Sequence, residues 1–172
     1  IVQNDLFFYT YTDVRAKPEY GKELTSRMIC TTNMESIRRK LRENLNKLNH
    51  LGIGNAFNQI ILDVIYRCSE LRSLFLYSKN GLSNPINIGE LSCAAVLQNL
   101  HIYLDGTLTV EFNPRNDLEF PRLVKLEIYS VRKSFDIRGL LAACTNLEFL
   151  RLKSSVAKPN ELQGLDKCNK LR

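Results

Sequence analysis

A chain of 172 residues is long enough to bury roughly 70% of the surface its unfolded form exposes, so one domain with a packed core is expected. Apolar residues at 44% and charged residues at 24% exclude an intrinsically disordered chain, and no apolar run approaches the ~18 residues of a membrane-spanning helix. The net charge of +6 permits attraction to acidic partners, yet Lys and Arg are spread along the chain and form no single block.

The chain opens on Ile1 and Val2 with neither an initiator Met nor a basic-then-apolar leader, and it reads as a piece or processed product of a longer protein. Residues 1–44 read as an irregular segment or divergent repeats. Within them "LFFY" (6–9) lies 45 residues before Leu51, close to two short repeats, "YTDVRAKPEYGKELTS" (11–26) reads as a loop and short helix, and "RMICTTN" (27–33) offers the missing strand with Met28 and Cys30 inward. Met34, Ile37, Leu41, Leu45 and Leu48 then recur at helical spacing and predict a helix over 34–48, with Arg38, Arg39, Lys40 and Arg42 beside the stripe. Phe57, Ile60, Ile61, Val64, Ile65 and Cys68 predict a second helix after a cap at Asn55. "SKNGLSNPINI" (78–88) reads as a long exposed turn. Over 104–119, Leu108, Val110 and Phe112 alternate and stop at Pro114, which favours a strand or hairpin over a helix. Helical spacing returns in Phe135, Leu140, Leu141 and Cys144, and in Leu162, Leu165 and Cys168 after Pro159.

An internal repeat runs through these elements. The template L-x-x-L-x-L/I occurs at Leu48-Leu51-Ile53, Leu71-Leu74-Leu76, Leu97-Leu100-Ile102, Leu123-Leu126-Ile128 and Leu147-Leu150-Leu152, at offsets of 23, 26, 26 and 24 residues. Three residues ahead of each first Leu stands another apolar residue: Leu45, Cys68, Ala94, Phe120 and Cys144. A sixth copy starts at Cys168 and Leu171. Alternation around the last two apolar positions is the period of a strand with one buried face, so each unit predicts a short strand, a turn and a return helix that only a stacked neighbour can cover.

The stretches "CSELRSLFL" (68–76), "FPRLVKLEI" (120–128), "CTNLEFLRL" (144–152) and "CNKLR" (168–172) carry a resemblance to the leucine-rich repeat superfamily, and look most like the cysteine-containing repeats of F-box-type proteins. The resemblance covers 45–172. It implies an α/β solenoid with parallel strands on the concave face, mostly helices on the convex face, and an open C-terminal end. It also implies a protein-recognition surface of the kind that serves as the substrate receptor of an F-box ubiquitin ligase. A cullin adaptor would be reached through regions outside this segment, because these residues hold no recognisable F-box.

Strand alternation locates the exposed positions. If Leu74 and Leu76 point inward, Phe75 and Tyr77 point outward, and stacking aligns Gly52, Phe75, His101, Glu127 and Arg151 in one row and Gly54, Tyr77, Tyr103, Tyr129 and Lys153 in the next. Phe75, Tyr77, His101, Tyr103, Glu127, Tyr129, Arg151 and Lys153 are therefore the candidate partner-binding residues. Tyr brings contact area and a hydroxyl at small entropy cost, while the competing reading of the Tyr ladder is strand propensity and cross-strand packing alone. The protein would then be a structural scaffold making its contacts through convex helices and the 104–119 irregularity.

Other chemistry finds little foothold. The five cysteines (Cys30, Cys68, Cys93, Cys144, Cys168) contain no C-x-x-C pair and suit packed core thiols in a reducing, intracellular compartment, cytoplasmic or nuclear. His50 and His101 lack a clustered ligand partner, so no metal is expected. "GIGNAF" (52–57) has Phe57 where a dinucleotide loop needs its third glycine. No catalytic constellation and no cofactor site are expected, and the chain reads as a binding protein and not an enzyme. Nucleic-acid contact would have to use residues 36–47 with Arg151, Lys153, Lys167 and Lys170, and the more ordinary role of the 36–47 stretch is the solvated side of a helix.

Overall fold

The computed structural model describes residues 5–9, 28–30, 34–54, 59–78, 85–104, 110–113, 118–130, 137, 139–154 and 162–172. Seven described strands form one parallel sheet: β1 (Asp5–Tyr9), β2 (Met28–Cys30), β3 (His50–Gly54), β4 (Ser73–Ser78), β6 (Asn99–Leu104), β8 (Lys125–Ser130) and β9 (Phe149–Ser154), in the order β2-β1-β3-β4-β6-β8-β9. Two α-helices, α1 (Met34–Glu43) and α2 (Gln59–Ile65), and a separate pair of short strands, β5 (Ile86–Asn87) and β7 (Val110–Glu111), complete the mixed α/β architecture, with 3-10 turns at Ile88–Glu90, Leu141–Ala143 and Leu165–Lys167.

From β3 onward the sheet follows the repeat. Leu51, Leu74, Leu100, Leu126 and Leu150 stand in register across it, as do Ile53, Leu76, Ile102, Ile128 and Leu152. The first four of each row are buried, and the two on β9 are partly covered. Full burial of one such side chain contributes about 1.5–3 kcal/mol, so these two rows are the principal reason the sheet has a defined inner face. A backbone link recurs ahead of β4, β6, β8 and β9 and once more at Arg172: Arg72 N–H donates to the Asn49 carbonyl (2.7 Å), Gln98 to Arg72 (2.8 Å), Val124 to Gln98 (2.8 Å), Glu148 to Val124 (2.9 Å) and Arg172 to Glu148 (3.2 Å). Each turn thus satisfies the polar backbone of the next.

The thiols sit beneath these turns. Cys68, Cys93, Cys144 and Cys168 are buried and free, and the Cys168 thiol points at the carbonyls of Leu141 (3.4 Å) and Cys144 (3.6 Å) one unit earlier. Burial pushes Cys68, Cys93 and Cys144 up to about 12. Such groups pack as small hydrophobes. Cys30 has a strand position but its side chain lies outside the described residues.

Several expectations are corrected. A return helix in every unit is not found: among the described residues only α1 and α2 are α-helical, and the later connections use β5, β7 and three-residue 3-10 turns. Between β8 and β9, Ile137, Leu140, Leu141 and Cys144 are buried around the 3-10 turn Leu141–Ala143, with no longer helix among the described residues. The α1 helix stops at Glu43 and not at Leu48, because Asn44 turns its amide back onto the Lys40 carbonyl (2.7 Å) while its own N–H bonds Leu41 at the shorter 3-10 spacing (3.1 Å). On α2 the buried face is Ile61, Leu62, Val64 and Ile65, and Ile60 is exposed. The short helix is turned one position away from the stripe that spacing alone favours. Asn55 and Phe57 lie outside the described residues.

Of the strand or hairpin expected over 104–119, the described residues show a short strand, β7, which pairs in parallel with β5, Ile86 opposite Val110. Consequently the end of the supposed exposed turn is core, with Ile86 and Ile88 buried. Asn87 stitches this pair, accepting from the N–H groups of Gly89 (2.9 Å) and Asn113 (3.0 Å) and donating to the Asn113 carbonyl (3.2 Å). Its own N–H donates to the buried Tyr66 hydroxyl (2.9 Å).

At the N-terminal side, β1 lies between β2 and β3, so sequence order and spatial order part company. Ile29 takes the register position aligned through Phe8 with Ile53, and Met28 and Cys30 align with Phe7 and Tyr9; the inward assignment of Met28 and Cys30 falls on side chains outside the described residues. The sheet crosses the boundary drawn at residue 44. Residues 11–26 lie outside the described residues.

Candidate functional site

The outer face of the sheet follows from the same alternation. Phe75, His101, Glu127 and Arg151 share one register row, and Tyr77, Tyr103, Tyr129 and Lys153 share the next. All eight residues singled out from sequence therefore come together, with Gly52 and Gly54 completing the rows on β3.

Parallel strands about 4.8 Å apart place like side chains at stacking distance. Phe75 and His101 stack with ring centroids 4.3 Å apart and planes 20° from parallel. Tyr77 and Tyr103 lie 4.9 Å apart at 33°, and Tyr103 and Tyr129 5.7 Å apart at 26°. His101 also lies flat relative to Tyr129, at 6.3 Å and 12°. The rings are half-buried, each shielding the next.

Glu127 departs from expectation. It occupies an outer-face position, yet its side chain is 0% exposed. A carboxylate leaves water only when partners replace the lost hydration, and three do so: one oxygen meets Nδ1 of His101, and the other faces Lys125 Nζ (3.6 Å) and Arg151 Nη1 (3.8 Å). These long side chains come from β6, β8 and β9 and close over it.

The same cluster sets the state of His101. Burial lowers its pKa from 6.5 to about 4; Glu127 opposes that shift, while Lys125 and Arg151 add to it. At neutral pH the ring is uncharged. Because a carboxylate only accepts, the proton belongs on Nδ1, where it bonds Glu127.

Two residues missing from the sequence-derived set belong to the site. Lys125 and Phe149 share a third outer row with Ser73 and Asn99. Lys125 Nζ lies 5.0 Å and the Arg151 guanidinium 5.4 Å from the Phe149 ring centre, close enough for cation–π attraction. Continuing the period-2 reading one step back from Glu127 and Arg151 finds both. At the other edge, Arg151 donates to the Tyr129 hydroxyl (3.2 Å) and Lys153 stands 5.9 Å over the Tyr129 ring.

The face thus runs from an aromatic end at β4 to a cationic end at β8 and β9. Among the described residues no group of three metal-ligating side chains occurs, and no helix is long and apolar enough to cross a membrane. On α1 the Arg38 and Arg39 side chains lie against Glu35 (3.5 Å) and Glu43 (4.0 Å), which dilutes the basic character of residues 36–47.

Comparison with known protein families, with curated proteins and with solved structures finds no match.

Proposed function

We propose that this chain is a leucine-rich-repeat solenoid segment acting as a protein-interaction module, and that its partner docks on the outer sheet face through Phe75, Tyr77, His101, Tyr103, Tyr129, Arg151 and Lys153. The observation that carries the reading is the register-aligned ladder of rings and cations on the face opposite the core. The repeated backbone link ahead of β4, β6, β8 and β9 supports the solenoid part. Half-buried Tyr rings with Arg at their edge are the composition from which binding hot spots are built. Glu127 has a different role, holding Lys125 and Arg151 from below. Through the F-box resemblance, the partner would be a client delivered to a ubiquitin ligase, with the cullin adaptor held by other regions of the protein.

Affinity capture with mass spectrometry, comparing wild type with a Tyr77→Ser/Tyr103→Ser/Tyr129→Ser variant of matched thermal unfolding, tests this. A specific client lost from the variant is the expected result, and a cullin adaptor retained by both identifies the ligase context. An unchanged partner set would mean that the ladder is cross-strand packing and the protein a scaffold.

A further inference from the structure

Resting on that reading, we infer that the β8–β9 end of the outer face receives the carboxylates of an acidic, extended peptide segment of the partner. Charge complementarity carries the inference. Lys125, Arg151 and Lys153 converge there, and the carboxylate among them, Glu127, is wholly buried. Arg151 remains half exposed and Lys153 is exposed. A partner approaching this end meets positive charge, while the negative charge that orients it stays beneath the surface. His101, neutral near pH 7, adds no charge of its own, so the field there is set by Lys125, Arg151 and Lys153.

The rings point to the same ligand chemistry. Stacked against one another, Tyr77, Tyr103 and Tyr129 turn their edges outward and leave no gap for an inserted planar group. Ring edges carry the positive part of the aromatic quadrupole, and Tyr hydroxyls donate hydrogen bonds. Single-stranded nucleic acid binds aromatic platforms by stacking bases on open ring faces; here Lys125, Arg151 and Lys153 lie over the faces of Phe149 and Tyr129. A carboxylate-bearing peptide needs only the edges and the cations.

Geometry adds a spacing. From Phe75 on β4 to Arg151 on β9 is three strand intervals, about 14 Å, which an extended chain covers in about four residues. The favoured segment carries an apolar residue for the Phe75 end and Asp or Glu about four residues away.

The test selects a random peptide library on the full chain and measures binding of an enriched peptide, its Asn/Gln counterpart and a short oligothymidylate by fluorescence anisotropy. Wild type, Arg151→Gln, Lys153→Gln and the triple Tyr→Ser variant are compared after their thermal unfolding is matched. Expected are Asp/Glu enrichment at that spacing and an affinity loss of about tenfold for Arg151→Gln or for the Asn/Gln peptide, the usual scale of one charge-assisted hydrogen bond. Enrichment without acidic residues overturns the inference. Binding lost in the Tyr variant but kept in both charge variants also overturns it, while leaving the outer-face reading intact. Equal binding by every variant removes both, and oligothymidylate binding tighter than the peptide, with Arg151 dependence, replaces the peptide by nucleic acid.

Discussion

Lowering the pH from 7 to 4 should destabilise the protein through His101. Its folded pKa of about 4 lies below the 6.5 of an unfolded chain, so within that window the unfolded state binds the extra proton. Stability from this group is complete above pH 6.5 and is lost as pH falls toward 4. The size follows from the shift: about 2 kcal/mol at pH 5 and about 3 kcal/mol at pH 4. For a domain of this length the pH 5 loss corresponds to a fall in Tm of roughly 4–8 °C. Urea unfolding between pH 4 and 7 would measure it, with His101→Gln as reference, since Gln can still donate to Glu127 but cannot titrate. Wild type should lose stability relative to the variant by these amounts, separating His101 from carboxylates that titrate in both. Parallel curves, or a His101 ring resonance titrating near 6.5 in NMR, would refute the reasoning.

Three further outcomes follow from the packing. Glu127→Gln removes the charge that favours protonated His101, so the ring's NMR titration should move below its wild-type midpoint; an upward move would contradict the placement of Glu127 beside it. Gly164 has φ of 90°, and an added Cβ would lie 2.6 Å from the Ala142 backbone nitrogen, whereas at Gly139 (φ 80°) the nearest atom is 3.9 Å away. Gly164→Ala should therefore cost more in urea unfolding than Gly139→Ala, for which the left-handed backbone alone sets a cost of about 1 kcal/mol. Cys68, Cys93 and Cys144, with thiols near 12 and no route to water, should be alkylated only on unfolding, as peptide mapping after a timed iodoacetamide pulse would show.

The repeat arithmetic alone determined β3, β4, β6, β8 and β9, their inner rows and the two outer rows, because Leu spacing sets both the strand period and the stacking interval. Alternation then assigns each side chain a face without further information. It could not assign depth. Glu127 occupies its expected row but is buried, because three partners on three strands close over it, and that convergence exists only once the strands are side by side. Lys125 and Phe149 were readable by the same alternation and were missed because they lie one step outside the conspicuous Tyr ladder. The convex connections were less legible, since apolar spacing in so short a segment is met equally by an α-helix or by a 3-10 turn, and packing chooses. The order β2-β1-β3 was beyond any local signal, because which edge a strand joins is a competition between distant partners that only the assembled sheet decides.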